Sequence, residues 1–163
     1  MGGKPKVVRQ SQNPFKATKT PVVAVPVGRK KIPVTEVLAE KMKDRNIRFR
    51  FDLVDHEAEW SILDIDRDSH VELLKFIKDV ETMTVGECEK PGDERYKTYK
   101  DLTGCPNSKV LERLVEEFEG LDYISRFRLS GKKRLYGLLA GHEFHVLWWD
   151  PEHLVWPSKL KHT

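Results

Sequence analysis

Residues 124–157 read ISRFRLSGKKRLYGLLAGHEFHVLWWDPEHLVWP. Three apolar runs, over residues 124–129, 134–139 and 143–149, are separated by Ser130-Gly131-Lys132-Lys133 and Ala140-Gly141-His142, which are Gly-bearing turns of hairpin length. The spacing predicts an antiparallel three-stranded meander. Side chains alternate across a strand, so Phe127 and Leu129 point one way and Arg126 and Arg128 the other. Unbroken alternation in the third run sets Phe144, Val146 and Trp148 against Glu143, His145, Leu147 and Trp149. The register that buries the most apolar area gathers Arg126, Arg128, Arg134, Tyr136, His145 and Trp149 on the second face. That face is expected to be basic, aromatic and open to water.

Upstream, Ile47-Arg48-Phe49-Arg50-Phe51-Asp52-Leu53 alternates apolar and charged residues and predicts a strand, with residues 60–65 returning beside it as a second. Residues 35–45 have the look of a short helix leading into the domain. Ser69 and Glu72 have capping-box spacing, which starts a helix running to about residue 83, and Thr84 and Glu87 repeat the signature for a short second turn. Residues 90–107, punctuated by Pro91, Gly92, Gly104 and Pro106, read as a long loop. Ser108 then caps an amphipathic helix that Gly120 ends. The expected fold is α+β: an antiparallel sheet ending in the meander, with two helices packed on one face.

A chain of 163 residues has room for one domain with a real core. The net charge of +3 is unevenly spread. Residues 1–33 carry Lys4, Lys6, Arg9, Lys16, Lys19, Arg29, Lys30 and Lys31 with neither Asp nor Glu, and Pro5, Pro14, Pro21, Pro26 and Pro33 interrupt them. This segment reads as a disordered basic tail that contacts phosphates or an acidic partner. Residues 34–163 form the single α+β domain.

No apolar run reaches the roughly 20 residues that span a bilayer, and the N-terminus lacks the pattern of a signal peptide, so the expectation is a cytoplasmic protein with no membrane partner. Cys88 and Cys105 form no CxxC pair and read as reduced thiols. His142 and His145 fall on opposite sides of a strand, and Asp64, Asp66 and Asp68 lack the glycine and glutamate of a calcium loop. There is no Walker loop and no GxGxxG. Neither a metal nor another cofactor is expected.

The order of elements, together with Phe127-Arg128-Leu129-Ser130-Gly131-Lys132-Lys133-Arg134-Leu135-Tyr136-Gly137, resembles the RelE/ParE toxin superfamily, in particular its RelE and YoeB-like endoribonucleases. In those proteins a basic G-K-x-R turn leads into the next strand. The resemblance implies a toxin-type endoribonuclease of a toxin-antitoxin system, cleaving mRNA on the ribosome without metal and partnered by an antitoxin. Such cleavage needs a base for the 2′-OH, fixed cations around the phosphorane and a proton for the leaving oxygen. Arg126, Arg128 and Arg134 are the candidate cations, and His145 and His153 the candidate base and acid, with Glu143 as an alternative base. Lys132 and Lys133 add phosphate contacts, while Tyr136, Trp149 and Trp156 are the candidates for stacking a base.

Each of these residues has a plainer reading as well, since strand arginines are commonly surface charge and tryptophans commonly pack cores. The alternative function is accordingly a non-catalytic module that binds nucleic acid or protein through the basic tail and the sheet face. A third reading is a docking protein that uses its aromatic C-terminus.

Overall fold

The structure is a computed structural model and describes residues 42–118 and 120–158. The expected basic tail and most of the helix expected over 35–45 lie outside the described residues. The elements in chain order are β1 (Arg48–Arg50), α1 (Arg67–Val80), α2 (Val85–Cys88), β2 (Tyr96–Tyr99), α3 (Ser108–Glu117), β3 (Ile124–Arg128), β4 (Arg134–Ala140) and β5 (Glu143–Asp150). The class is α+β. The strands form one five-stranded sheet in the order β1-β5-β4-β3-β2.

The sheet is mixed, not antiparallel. β2, β3, β4 and β5 pair antiparallel, but β1 runs parallel to β5, with Arg48 opposite Glu143 and Arg50 opposite His145. A parallel pair needs a crossover, and everything between β1 and β5 supplies it.

Helices cover both faces, which corrects the expectation of two helices on one. Leu73 and Val80 of α1 and Val85 and Cys88 of α2 pack with Phe127, Leu135, Phe144 and Val146. On the opposite face Val110 and Leu114 of α3 pack with Ile124, Tyr136, Leu138, Leu147 and Trp148. Because β3, β4 and β5 carry large apolar side chains on both sides, one layer of helix would leave half of that surface in water.

A bulge sets which tryptophan goes where. Tyr136 pairs with Trp148 while Gly137 pairs with Val146, so Leu147 is an extra residue in β5. Alternation resets there. Trp148 joins Leu147 and Tyr136 in one core, and Trp149 joins Phe144 and Val146 in the other. The face assignment of Trp148 and Trp149 from simple alternation is therefore reversed. Gly137 is what permits this close approach, because a Cβ there would lie 2.3 Å from the His145 carbonyl oxygen and 2.7 Å from the Phe144 ring.

The helix starts follow the expected caps at one site and shift at two. Thr84 and Glu87 make the expected reciprocal capping box. α1, however, is capped by Asp66, whose Oδ1 accepts from the Ser69 amide at 2.9 Å, and α3 by Asn107 rather than Ser108. Residues 60–65 form no strand. Ile62–Asp64 is a 3₁₀ turn, and the Trp60 carbonyl accepts from the Trp149 amide at 2.8 Å, so this stretch lines the β5 edge where β1 has ended. The expected 90–107 loop instead contains β2.

A buried ion pair ties α3 to the sheet. Arg113 donates from Nε and Nη2 to the two Asp55 carboxylate oxygens at 2.7 and 2.6 Å, and the Trp148 indole donates to Asp55 Oδ2 at 3.1 Å. Burial alone raises the Asp55 pKa, but the hydrogen bonds from Arg113 and Trp148 and the Arg113 charge outweigh it and hold the carboxyl below the ordinary aspartate range. Both cysteines are buried free thiols, and burial pushes Cys88 up to about 11. No described helix is long and apolar enough to cross a membrane.

Candidate anion-binding cleft

The face that carries the strand arginines is closed over most of its length. α3 and Val155 cover Tyr136, Leu138 and Trp148. It opens beside the β3–β4 hairpin and β2, in a cleft of about 640 Å³ lined by Asp93, Glu94, Lys97, Tyr99, Arg126, Arg128, Arg134, His153 and Trp156, among others.

Strand register brings the arginines together. Arg128 lies directly opposite Arg134, and Arg126 opposite Tyr136, on the ladder between β3 and β4. Directly opposed Cα atoms sit roughly 4.5–5.5 Å apart and diagonal ones within reach of long side chains. The three guanidinium groups therefore share one volume, where like charges are unfavourable unless an anion intervenes. Glu94 supplies one carboxylate, at 2.8 Å from Arg128. Arg126 is held by the Glu94 carbonyl at 3.0 Å and the Tyr99 hydroxyl at 3.4 Å, and Arg134 by the carbonyls of Gly131 and Lys133, both at 2.9 Å. Among the described residues no carboxylate pairs with either of these two.

The floor of the cleft is short of partners. Arg134 is only 6% exposed, and its Nε has no hydrogen-bond partner among the described residues; the same is true of the hydroxyl of the fully buried Tyr136. Burial, followed by the charges of Arg126 and Arg128, pushes the Arg134 pKa down. Burial pushes that of Tyr136 well up. A buried donor left unpaired is costly, and a cation in this setting favours any ligand that brings acceptors and negative charge.

The last described segment forms the other wall. The buried Asp150 carboxylate accepts from the amides of Glu152 at 3.2 Å, Leu154 at 2.9 Å and Val155 at 2.8 Å, and Asn107 Nδ2 donates to the Leu154 carbonyl at 2.8 Å. This turn holds His153 at a φ of 62°, a conformation uncommon for a residue with a Cβ, and carries it to the arginines. Burial and the positive charge of Arg134 together lower the His153 pKa, with Asp150 opposing. Three residues on, Trp156 stacks on Tyr99 with ring centroids 4.0 Å apart and planes 16° from parallel.

Not every predicted site residue is in this cleft. Arg126, Arg128, Arg134, His153 and Trp156 converge there. His145 does not. It is 4% exposed and its Nδ1 lies 2.8 Å from Asp52 Oδ1, at the far end of the strand beside Leu138. Trp149 is on the opposite face, and Tyr136 is beneath the site with no exposed surface to stack a base. Lys132 and Lys133 lie outside the cleft and pair with Glu152 at 3.4 Å and Glu72 at 2.5 Å. Lys97 and Tyr99 are site residues that the sequence reading does not single out, with the Lys97 ammonium 4.7 Å from the Tyr99 ring centroid. No clear signal was available, because Tyr96-Lys97-Thr98-Tyr99 sets its two tyrosines three residues apart, on opposite faces of a strand, with no apolar alternation between polar flanks. No family model, no curated protein and no solved structure matches the chain.

Proposed function

We propose that this protein is a RelE-like, toxin-type endoribonuclease that cleaves mRNA without a metal ion, with the scissile phosphate in the arginine cleft. The observation that carries the reading is the pairing of two guanidinium groups lacking carboxylate partners, Arg126 and Arg134, with an imidazole and an indole in the same cleft. His153 is held neutral near pH 7 by its lowered pKa and accepts the 2′-OH proton. Arg126, Arg128 and Arg134 face the charge that builds on the phosphorane oxygens, already oriented before substrate arrives. The Lys97 ammonium is the donor available to the leaving 5′-oxygen. The exposed part of Trp156 supports a base by stacking. His145, tied to Asp52 away from the cleft, has no part in this chemistry.

A second reading has its own support. Among the described residues one imidazole reaches the cleft, whereas transfer of protons on both sides of the phosphate ordinarily uses two tuned groups. The alternative is a non-catalytic module that binds RNA in the same cleft. In vitro translation with primer extension, with and without ribosomes, separates the two. Cleavage predicts discrete new mRNA ends that vanish in Arg126→Gln and His153→Gln. Intact mRNA, with RNA binding retained by the wild type and lost in Arg126→Gln, selects the binding module.

A further inference from the structure

We infer that RNA held in the arginine cleft continues around the free edge of β2 into a second pocket, which takes a flanking nucleotide and favours a base with an exocyclic amino group over uracil. The inference rests on the cleft being a site for RNA phosphate, but not on cleavage occurring there.

β2 is the last strand of the sheet, and no strand among the described residues pairs with its outer side. Openings flank it on both faces. The arginine cleft lies on one, and on the α2 side is a pocket of about 680 Å³ whose lining includes Glu89, Lys100, Asp122 and Tyr123. Tyr96 and Lys97 line both openings, so the two meet around this edge. An internal phosphate on Arg126 and Arg134 has chain on either side of it, and one direction leads past Lys97 into the second pocket.

Charge marks that path. Lys97 and Lys100 are exposed cations with no ion-pair partner among the described residues, and they follow each other from cleft to pocket. The interior suits a base better than a phosphate. Its volume falls within the roughly 300–1,000 Å³ of small-ligand pockets. The half-buried Tyr123 ring is fixed by its hydroxyl, which donates to the Leu139 carbonyl at 3.0 Å, and can support a base by stacking. Glu89 and Asp122 add exposed carboxylates, which repel phosphate and as anions accept hydrogen bonds without donating any. Adenine, cytosine and guanine present an exocyclic amino donor, where uracil presents a carbonyl oxygen. The two carboxylates therefore favour the amino-bearing bases.

The test uses the full chain and 2′-O-methyl hexanucleotides, which cannot be cut by 2′-OH attack, so binding is read apart from catalysis. One oligonucleotide is all uridine. In the others a single cytidine replaces uridine at each position in turn, exchanging a carbonyl for an amino group. Affinity is measured by titration calorimetry at fixed salt. The expected result is about fivefold or more tighter binding for cytidine at one position. Glu89→Ala combined with Asp122→Ala should abolish that preference without weakening the all-uridine chain, because it removes only negative charge. Lys100→Gln should weaken every oligonucleotide alike. Affinities within twofold at all positions, or a preference that survives the double variant, overturn the inference. If Arg126→Gln leaves all-uridine binding unchanged, the cleft reading fails and the path from it fails too; if that variant weakens binding and the cytidine scan is flat, the second pocket alone is wrong. Whether mRNA is cleaved is decided separately by primer extension.

Discussion

Arg128 and Arg134 face each other across the ladder between β3 and β4, yet only Arg128 has a carboxylate, Glu94 at 2.8 Å. The pair is thus asymmetric: one guanidinium is compensated at the rim and the other is sunk beneath it. Phosphate binding should therefore depend on Arg126 and Arg134 more than on Arg128. For single strands the slope of log K against log salt changes by about 0.7 for each phosphate that the protein neutralises. Arg126→Gln should flatten the slope by about that amount, and Arg128→Gln by less, because Glu94 is freed at the same time. Filter binding from 50 to 200 mM salt gives both slopes; equal flattening refutes the asymmetry.

His153 sets the acid side of any cleavage profile. Burial and Arg134 lower its pKa below the ordinary 6.5, so it is neutral at pH 7 and gains a proton only at lower pH. The rate should hold around neutral pH and drop at lower pH as the imidazole protonates. In stability the sign is the same, since the unfolded chain binds that proton more readily: the contribution is complete above the unfolded value and is lost as pH falls through the lower folded one. His153→Gln should remove the acid limb along with most of the rate. A limb retained by residual activity assigns the proton elsewhere.

Removing Arg113 leaves the buried Asp55 carboxylate without its ion-pair partner, whereas removing Asp55 leaves the half-buried Arg113 with the carboxylates of its own helix. Asp55→Ala should cost about 3–5 kcal/mol, toward the lower end because Arg113 retains Glu117 at 3.3 Å. Asp55→Leu combined with Arg113→Met should cost much less than the sum of the single changes. The lowered Asp55 pKa contributes stability that is complete above the unfolded value near 3.8 and is lost as pH falls through the lower folded one. Urea melts at pH 7 and pH 3 read both effects. An Asp55→Ala change below about 1 kcal/mol contradicts the strut role.

Gly137→Ala should destabilise by about 1–3 kcal/mol or more, since the new methyl meets both a ring and a backbone oxygen. Phe144→Leu in that background should not restore stability, because the His145 carbonyl remains 2.3 Å from the added carbon. Thermal melts of the single and double variants decide this. A neutral Gly137→Ala would mean that the bulge can shift register.

How much of this could be read from the chain depended on how local each signal was. The strands of the 124–150 stretch, the capping box at Thr84 and the grouping of Arg126, Arg128 and Arg134 follow from period-two alternation and short turns, which need only neighbours in sequence. The partition of Trp148 and Trp149 did not, because one inserted residue, Leu147, inverts every later side chain without altering composition. Nor did the second helical layer. α3 looks like α1 in sequence, and only the apolar side chains on both faces of β4 and β5 require it to lie opposite. His145 looked like a site residue because histidine on a basic face suggests chemistry. Its partner Asp52 is 93 residues away in the chain, beyond any local pattern.

The parallel pairing of β1 with β5 also places the fold in time. The β3–β4–β5 ladder closes through contacts between neighbouring segments, whereas β1 must wait for almost the whole domain to leave the ribosome before Arg48 finds Glu143. Loop-closure entropy makes such distant contacts slow relative to hairpins. β1 is therefore expected to dock last, leaving Phe49, which packs edge-on to Phe144 at 5.5 Å in the finished sheet, unprotected until then. Pulse-labelled hydrogen exchange should find β4 amides protected before those of β1, and a nascent chain stalled short of β5 should be the species most prone to aggregate.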